Sequence, residues 1–166
     1  MLGIAVTASQ EQALRRLVGV LDRAAVAYQF TGGFAGNLHG SRWPLHDLDL
    51  DVAAADLPRL ADLLRPFTTR PLGRYADHEF DLQLLRAEMN GVGIDVSQVE
   101  DAFALTGGRR VPLGTSLARR VRVPLLDFAV WVQPLDELIA YKALLGRTAD
   151  LADLLALPSG ASAPGR

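Results

Sequence analysis

The chain has 166 residues, a formal net charge of −2, 49% hydrophobic and 22% charged residues, and no cysteine. Those values give enough apolar content for one packed core. They exclude a disordered polyelectrolyte, a globally basic nucleic-acid binder, a disulfide scaffold and any thiol chemistry. No apolar run is long enough to cross a bilayer and no basic-plus-apolar leader opens the chain, so a cytoplasmic protein without a membrane partner is expected.

Ser9-Gln10-Glu11-Gln12 reads as the capping box of a first helix that ends near Ala25, with Leu14, Leu17, Val18 and Leu21 as its apolar stripe. Residues 26–30 form a short strand ending at Gly32-Gly33, and 34–39 a short helix whose N-terminus faces that glycine turn. Residues 48–53 alternate acid and aliphatic as a second strand. Asp56 caps the next helix, with Pro58 in its first turn and Leu60, Leu63 and Leu64 facing inward. Pro66 and Pro71 bracket a loop. Residues 80–86 and 92–99 are strands joined by Asn90-Gly91, the strongest short-range hairpin signal. The stretch 107–122 reads as irregular, and 123–132 as one or two short strands. A helix opens at Pro134 and Asp136 and stops at Gly146; Thr148 caps a last helix over 149–157. The tail from Pro158 reads as disordered. The order of elements predicts an α/β (α+β) fold, a small mixed sheet covered by helices, in a single domain over 1–157 with its C-terminal helices from about 134.

Asp47, Asp49 and Asp51 fall on one face of their strand, because strand side chains alternate. Carboxylates crowded on one face repel unless a cation sits between them, and Mg²⁺, which takes oxygen ligands, suits Asp47 and Asp49. Asp51 reads as a supporting or solvated acid. The Gly32-Gly33 pair supplies backbone that can approach an anion. Asp95, the one acid in an otherwise apolar strand, is the candidate third ligand or base, with Asp81 as the fallback. Lys142 is the chain's single lysine, placed to reach over the core edge towards a triphosphate. Arg147 follows, and Asp150 and Asp153 are neighbours on the last helix. Arg109, Arg110, Arg119, Arg120 and Arg122 could hold a polyanionic acceptor or serve as a solvated surface. His39 and His46 lack the partners of a zinc site, and no Gly-x-Ser-x-Gly elbow occurs.

The stretch from Thr31-Gly32-Gly33 to Asp47-Leu48-Asp49 resembles the signature of the minimal nucleotidyltransferases of the DNA polymerase β superfamily. It looks closest to the branch of the AbiEii-type toxins of type IV toxin–antitoxin systems, with the MenT-like transferases, and more distantly to the lincosamide nucleotidyltransferases. The segment 134–142, then Gly146-Arg147 and 150–154, is similar to the helical motif after the catalytic sheet in that branch. The resemblance implies Gly32 and Gly33 at the nucleotide phosphates and Asp47, Asp49 and Asp95 as metal-binding acids. It also implies Lys142 at the triphosphate or acceptor side, Arg147 among the nucleotide-binding residues, and Asp150 or Asp153 in support. The arginine and small hydroxyl residue usual before the first aspartate are replaced by Trp43-Pro44-Leu45-His46, Arg42 lies one step off, and Ala149 stands where a lysine is common.

The expected function is transfer of a nucleoside monophosphate from an NTP to an acceptor hydroxyl with two Mg²⁺ ions. RNA, such as a tRNA 3′ end, is the first acceptor in a toxin-like role with a cognate antitoxin. An antibiotic-type small molecule is the enzymatic alternative, and a non-catalytic nucleotide-binding or interaction protein is the rival of another class.

Overall fold

The computed structural model describes residues 4–158; apart from Pro158, the expected disordered tail lies outside the described residues. Among the described residues, five α-helices cover one nine-stranded mixed sheet, larger than the small sheet the sequence predicts.

Helix α1 (Ala8–Arg23) opens two residues earlier than expected, with Thr7 rather than Ser9 as its cap. Thr7 Oγ1 accepts from the Gln10 backbone at 3.1 Å, and Gln10 Oε1 accepts from the Thr7 backbone at 2.8 Å. Its stripe of Leu14, Leu17, Val18 and Leu21 is buried against the sheet as predicted. Strand β1 (Tyr28–Thr31) leads directly into helix α2 (Gly32–Leu38), then strand β2 (Leu48–Val52). β1 and β2 run antiparallel, which puts Thr31 opposite Asp49 and Gln29 opposite Asp51. On the other side of these strands Tyr28, Phe30, Leu48, Leu50 and Val52 enter the core.

Helix α3 (Leu57–Leu63) carries Pro58 in its first turn and buries Leu60, but Leu63 is exposed, contrary to expectation. Asp56 sits at its cap position without capping; the carboxylate accepts from Arg59 at 3.2 Å instead. The loop expected between Pro66 and Pro71 is mostly strand β3 (Thr68–Ala76). Pro71 is tolerated there because the strand lies at a sheet edge and its register shifts between Arg70 and Gly73. Strands β4 (Phe80–Met89) and β5 (Val92–Gln98) form the predicted hairpin. Asn90 and Gly91 have φ of 52° and 76°, the double positive φ of the turn that suits strand twist.

The supposedly irregular 107–122 stretch holds most of a second hairpin, β6 (Phe103–Thr106) with β7 (Arg109–Pro112), turned by Gly107 and Gly108. Strands β8 (Val121–Leu125) and β9 (Phe128–Val132) follow. Helix α4 (Leu135–Leu144) and helix α5 (Thr148–Leu155) complete the described chain; Arg147, not Thr148, occupies the cap position of α5. The strand order is β7-β6-β4-β5-β2-β1-β9-β8, with β3 paired to β4. Two pairings are parallel: β2 with β5, and β1 with β9. The core lies on the face of Ile94, Val96, Leu85 and Val130, under α1. The opposite face of β1, β2 and β5 carries the polar side chains.

Candidate active site

The parallel register of β2 and β5 sets Asp49 directly opposite Asp95, and the β4–β5 hairpin sets Asp95 opposite Arg86. Asp47, just before β2, shares the face of Asp49 and Asp51, and Gly93, Asp95 and Ser97 share it on β5. With Thr31, Gly32, Gly33, Tyr141, Lys142 and Arg147, most of these residues line one cleft of about 400 Å³. That volume is in the range of small-ligand sites.

Two glycines make room for the acids. Gly32 has φ of +62°, and a Cβ there would stand 2.3 Å from Asp49 Oδ2. A Cβ on Gly93 would stand 2.7 Å from Asp47 Oδ1. The carboxylate of Asp49 is therefore lodged against the glycine elbow, not splayed into solvent. Gly93 was not singled out in the sequence; its signal was a glycine inside a strand pattern, which marks close approach of another group.

The elbow has an open end. Thr31 holds the cap position of α2 but makes no side-chain capping bond. Its hydroxyl donates to Gln133 Oε1 at 2.7 Å, so the first N–H groups of the helix are not covered by a cap. The backbone carbonyl of Gln133, a buried residue just after β9, also accepts from His39 Nε2 at 2.7 Å. That bond accounts for His39 as a structural residue.

Burial, and next the nearby Asp95 and Asp47, push the Asp49 carboxyl up to about 6, while Lys142 and Arg147 oppose the shift. Burial also raises Asp95, opposed by Arg86, whose Nε donates to both its oxygens at 3.1 and 3.3 Å. Asp51 is buried, not solvated: it accepts from Ser97 Oγ at 3.0 Å and is pushed up to about 7 by desolvation. Three neighbouring acids, Asp49, Asp51 and Asp95, all held above the ordinary carboxylate range, are an arrangement that a cation relieves.

Lys142 is 5% exposed; its Nζ donates to Asp150 Oδ2 at 2.9 Å while its charge still acts on Asp49. Arg147 lines the cleft and pairs with Glu79 Oε2 at 2.9 Å, tying the start of α5 to the turn before β4. Asp153 accepts from Ser41 Oγ and so anchors the segment between α2 and β2. Asp150 and Asp153 thus stand behind the cleft, each tied to another residue. Asp81, the fallback acid, is on the far face of β4 from Phe80, Leu82, Leu84 and Arg86, which line the cleft. Hydrogen bonds from Arg74 and Arg110 hold it down to about 2, and it takes no part in lining the cleft.

The arginine cluster does not form one patch. Arg110 pairs with Asp81 and stacks on Phe103, Arg119 pairs with Asp136 and Glu137, and Arg120 and Arg122 lie over Trp131. Arg109 and Arg110 sit on β7 and Arg122 on β8, at opposite ends of the strand order.

The donors on the carboxylate face are all oxygens, the set a hard cation such as Mg²⁺ takes. The two glycine hollows admit Asp47 and Asp49 to it. Asp47, Asp49 and Asp95 supply donors of that kind. Among the described residues, no three acid or histidine side chains are gathered closely enough to hold a metal ion. Asp95 is drawn towards Arg86 instead.

No protein-family model matches the chain, and no curated protein matches it by sequence. Solved structures do. A Thermotoga maritima protein provisionally assigned as a nucleotidyltransferase superposes with a TM-score of 0.75 at 15% identity, over 92% of this chain and 94% of that one. The lincosamide antibiotic adenylyltransferase LnuA, bound to lincomycin, gives 0.60 at 12% identity over 89% and 98%. ANT(2'')-Ia, in complex with adenylyl-2''-tobramycin, gives 0.60 at 10% identity over 88% and 87%. The fold is that of the nucleotidyltransferases. A special closeness to the AbiEii or MenT branch does not emerge from these likenesses.

Proposed function

We propose that this protein is an Mg²⁺-dependent nucleotidyltransferase that moves a nucleoside monophosphate from an NTP to an acceptor hydroxyl and releases pyrophosphate. The observation that carries the reading is the Asp49 carboxylate lodged against Gly32 and directly opposite Asp95. Asp47, Asp49 and Asp95 hold the ions, and Gly32 and Gly33 offer uncapped backbone N–H groups to phosphate oxygens. The bound ions supply neutralisation of the phosphate charge and activation of the attacking oxygen. Asp95 takes the proton of the acceptor hydroxyl. Lys142 and Arg147 bring positive charge to the side of the departing pyrophosphate, and Asp150 fixes the Lys142 ammonium. Asp153 holds the α2–β2 segment beside the elbow.

The acceptor is a small hydroxylated molecule carrying basic groups. Asp77 and Glu79 also line the cleft; Glu79 is offset by Arg147, which leaves Asp77 as an acid that disfavours a polyanion there. The arginines that favoured RNA in the sequence are largely taken up in ion pairs and ring stacking. Two of the similar structures are named for modification of antibiotics, lincomycin-bound LnuA and the tobramycin-adenylylating ANT(2'')-Ia. The RNA reading, with a cognate antitoxin, retains the support of the sequence resemblance alone. Incubation with labelled NTPs, Mg²⁺ and either lincosamides and aminoglycosides or bulk tRNA separates the two. Label on a small molecule that disappears with Asp47→Asn is expected; label on tRNA alone refutes the small acceptor. Absence of Mg²⁺-dependent NTP binding by calorimetry turns the reading to the non-catalytic rival.

A further inference from the structure

Among the four acids of the carboxylate face, Asp47, Asp49, Asp51 and Asp95, it is Asp95 that has a basic side chain hydrogen-bonded to it, and that side chain is Arg86. Lys142 and Arg147 act on the same face, but their own bonds go to Asp150 and Glu79. The Arg86 contact is made through Nε, at 3.1 and 3.3 Å to the two Asp95 oxygens. Among the described residues, its two terminal nitrogens pair with no carboxylate. The guanidinium carbon lies 5.3 Å from the centre of the Tyr75 ring. Arg70 lies 5.4 Å from the same ring, but it is pinned by the backbone carbonyls of Leu84 and Arg74, each at 3.0 Å. Arg86 is thus a half-exposed cation that meets Asp95 through one nitrogen, with its terminal fork beside the Tyr75 side chain and on no carboxylate.

We propose that Arg86 is a partner-switching residue, which holds Asp95 in line before substrate arrives and turns its terminal fork to the phosphate oxygens when metal and nucleotide enter together. The inference rests on the nucleotidyltransferase reading. Its logic is charge. Before substrate, Arg86 offsets part of the repulsion among Asp47, Asp49 and Asp95. A cation at Asp95 makes that pairing redundant, and a triphosphate supplies oxygens that match the guanidinium fork. Tyr75 carries the guanidinium in both positions. Metal alone has to compete with Arg86, whereas metal with nucleotide gives Arg86 a new partner, so the two bind cooperatively.

Mn²⁺ binding by electron paramagnetic resonance, with and without an α,β-methylene nucleoside triphosphate, tests this. Arg86→Gln is expected to bind Mn²⁺ alone about two- to fivefold tighter, as loss of a half-exposed ion pair allows. In Mn²⁺ the same variant binds the nucleotide about tenfold more weakly, as loss of a charged hydrogen bond implies. A merely structural role moves both affinities the same way. Shifts in the same direction, or no shift, overturn the switch while leaving the proposed activity standing. Wild-type protein that binds neither Mn²⁺ nor the Mn²⁺–nucleotide removes the proposed activity and the switch together. If circular dichroism shows Arg86→Gln unfolded, Arg86→Lys decides alone. It keeps the charge but not the fork, so Mn²⁺ alone binds within about twofold of wild type and nucleotide several-fold more weakly. Unchanged nucleotide affinity in Arg86→Lys overturns the proposal.

Discussion

Gly93→Ala isolates what the glycine hollow does for the carboxylate face. The residue lies in a strand at an ordinary φ, so alanine adds no backbone strain and recovers some of the entropy that glycine loses on folding. Its Cβ, however, would stand 2.7 Å from Asp47 Oδ1 and 3.2 Å from Asp47 Cγ, against an ordinary contact of 3.4 Å or more. The carboxylate must therefore retreat by 3.4 − 2.7, or 0.7 Å. Asp47 is the end of a flexible side chain, so the retreat costs little stability. The unfolding free energy should change by less than about 1 kcal/mol, in either direction. The site feels it more, because small displacements of metal-binding oxygens and their supports typically cost 10–100-fold in affinity or activity. Calorimetric titration of Mg²⁺ with a non-hydrolysable NTP, beside a denaturant melt, reads both quantities. The expected result is at least about tenfold weaker metal–nucleotide binding in a protein of wild-type stability. Wild-type affinity in Gly93→Ala would show that Asp47 is not a ligand, and the reasoning from the hollow would fall.

Three further outcomes follow from the packing and the charges. Asp49 and Asp51 are raised to about 6 and about 7 from an ordinary 3.8, so between those values the folded protein binds more protons than the unfolded chain. Stability then falls as pH rises from about 4 to about 7, and Asp51→Asn should melt higher than wild type at pH 8 with a margin that closes towards pH 4; a constant margin refutes desolvation as the cause. Mg²⁺ at a hundred times its dissociation constant should add about 2.7 kcal/mol, or about 5–10 °C in melting temperature, reversed by chelator and absent in the Asp47→Asn, Asp49→Asn double variant. Leu17→Ala, fully buried beneath the sheet, should cost about 2–5 kcal/mol by denaturant titration and leave nucleotide affinity per folded molecule unchanged.

Local signals carried much of the fold. Asn90-Gly91 announced its hairpin because only residues tolerant of positive φ make that turn, and the alternation in 48–52 announced β2 because a half-buried strand must alternate. Strand β3 was hidden by Pro71, whose missing donor argues against a strand until an edge position and a shifted register are known. Asp49 and the glycine elbow were legible from their own residues. Arg86, Gly93 and Gln133 were not, since their roles depend on register and on which strands adjoin, and that is tertiary information. The arginines dispersed for the same reason: a run of charge in sequence looked like one surface, but the fold sent Arg110 to β7, where it pairs with Asp81, and Arg122 to β8, over Trp131.

The two-residue turn at Asn90-Gly91 supplies no lining residue to the cleft, yet it dictates what β5 shows to each side. One inserted residue there would slide the hairpin by a single step, bringing Ile94 to the polar side and driving Asp95 among the leucines. Chemistry along this ribbon is thus written by the spacing of its turn. Random insertion should find that tip as intolerant as the acids themselves, although it touches no ligand.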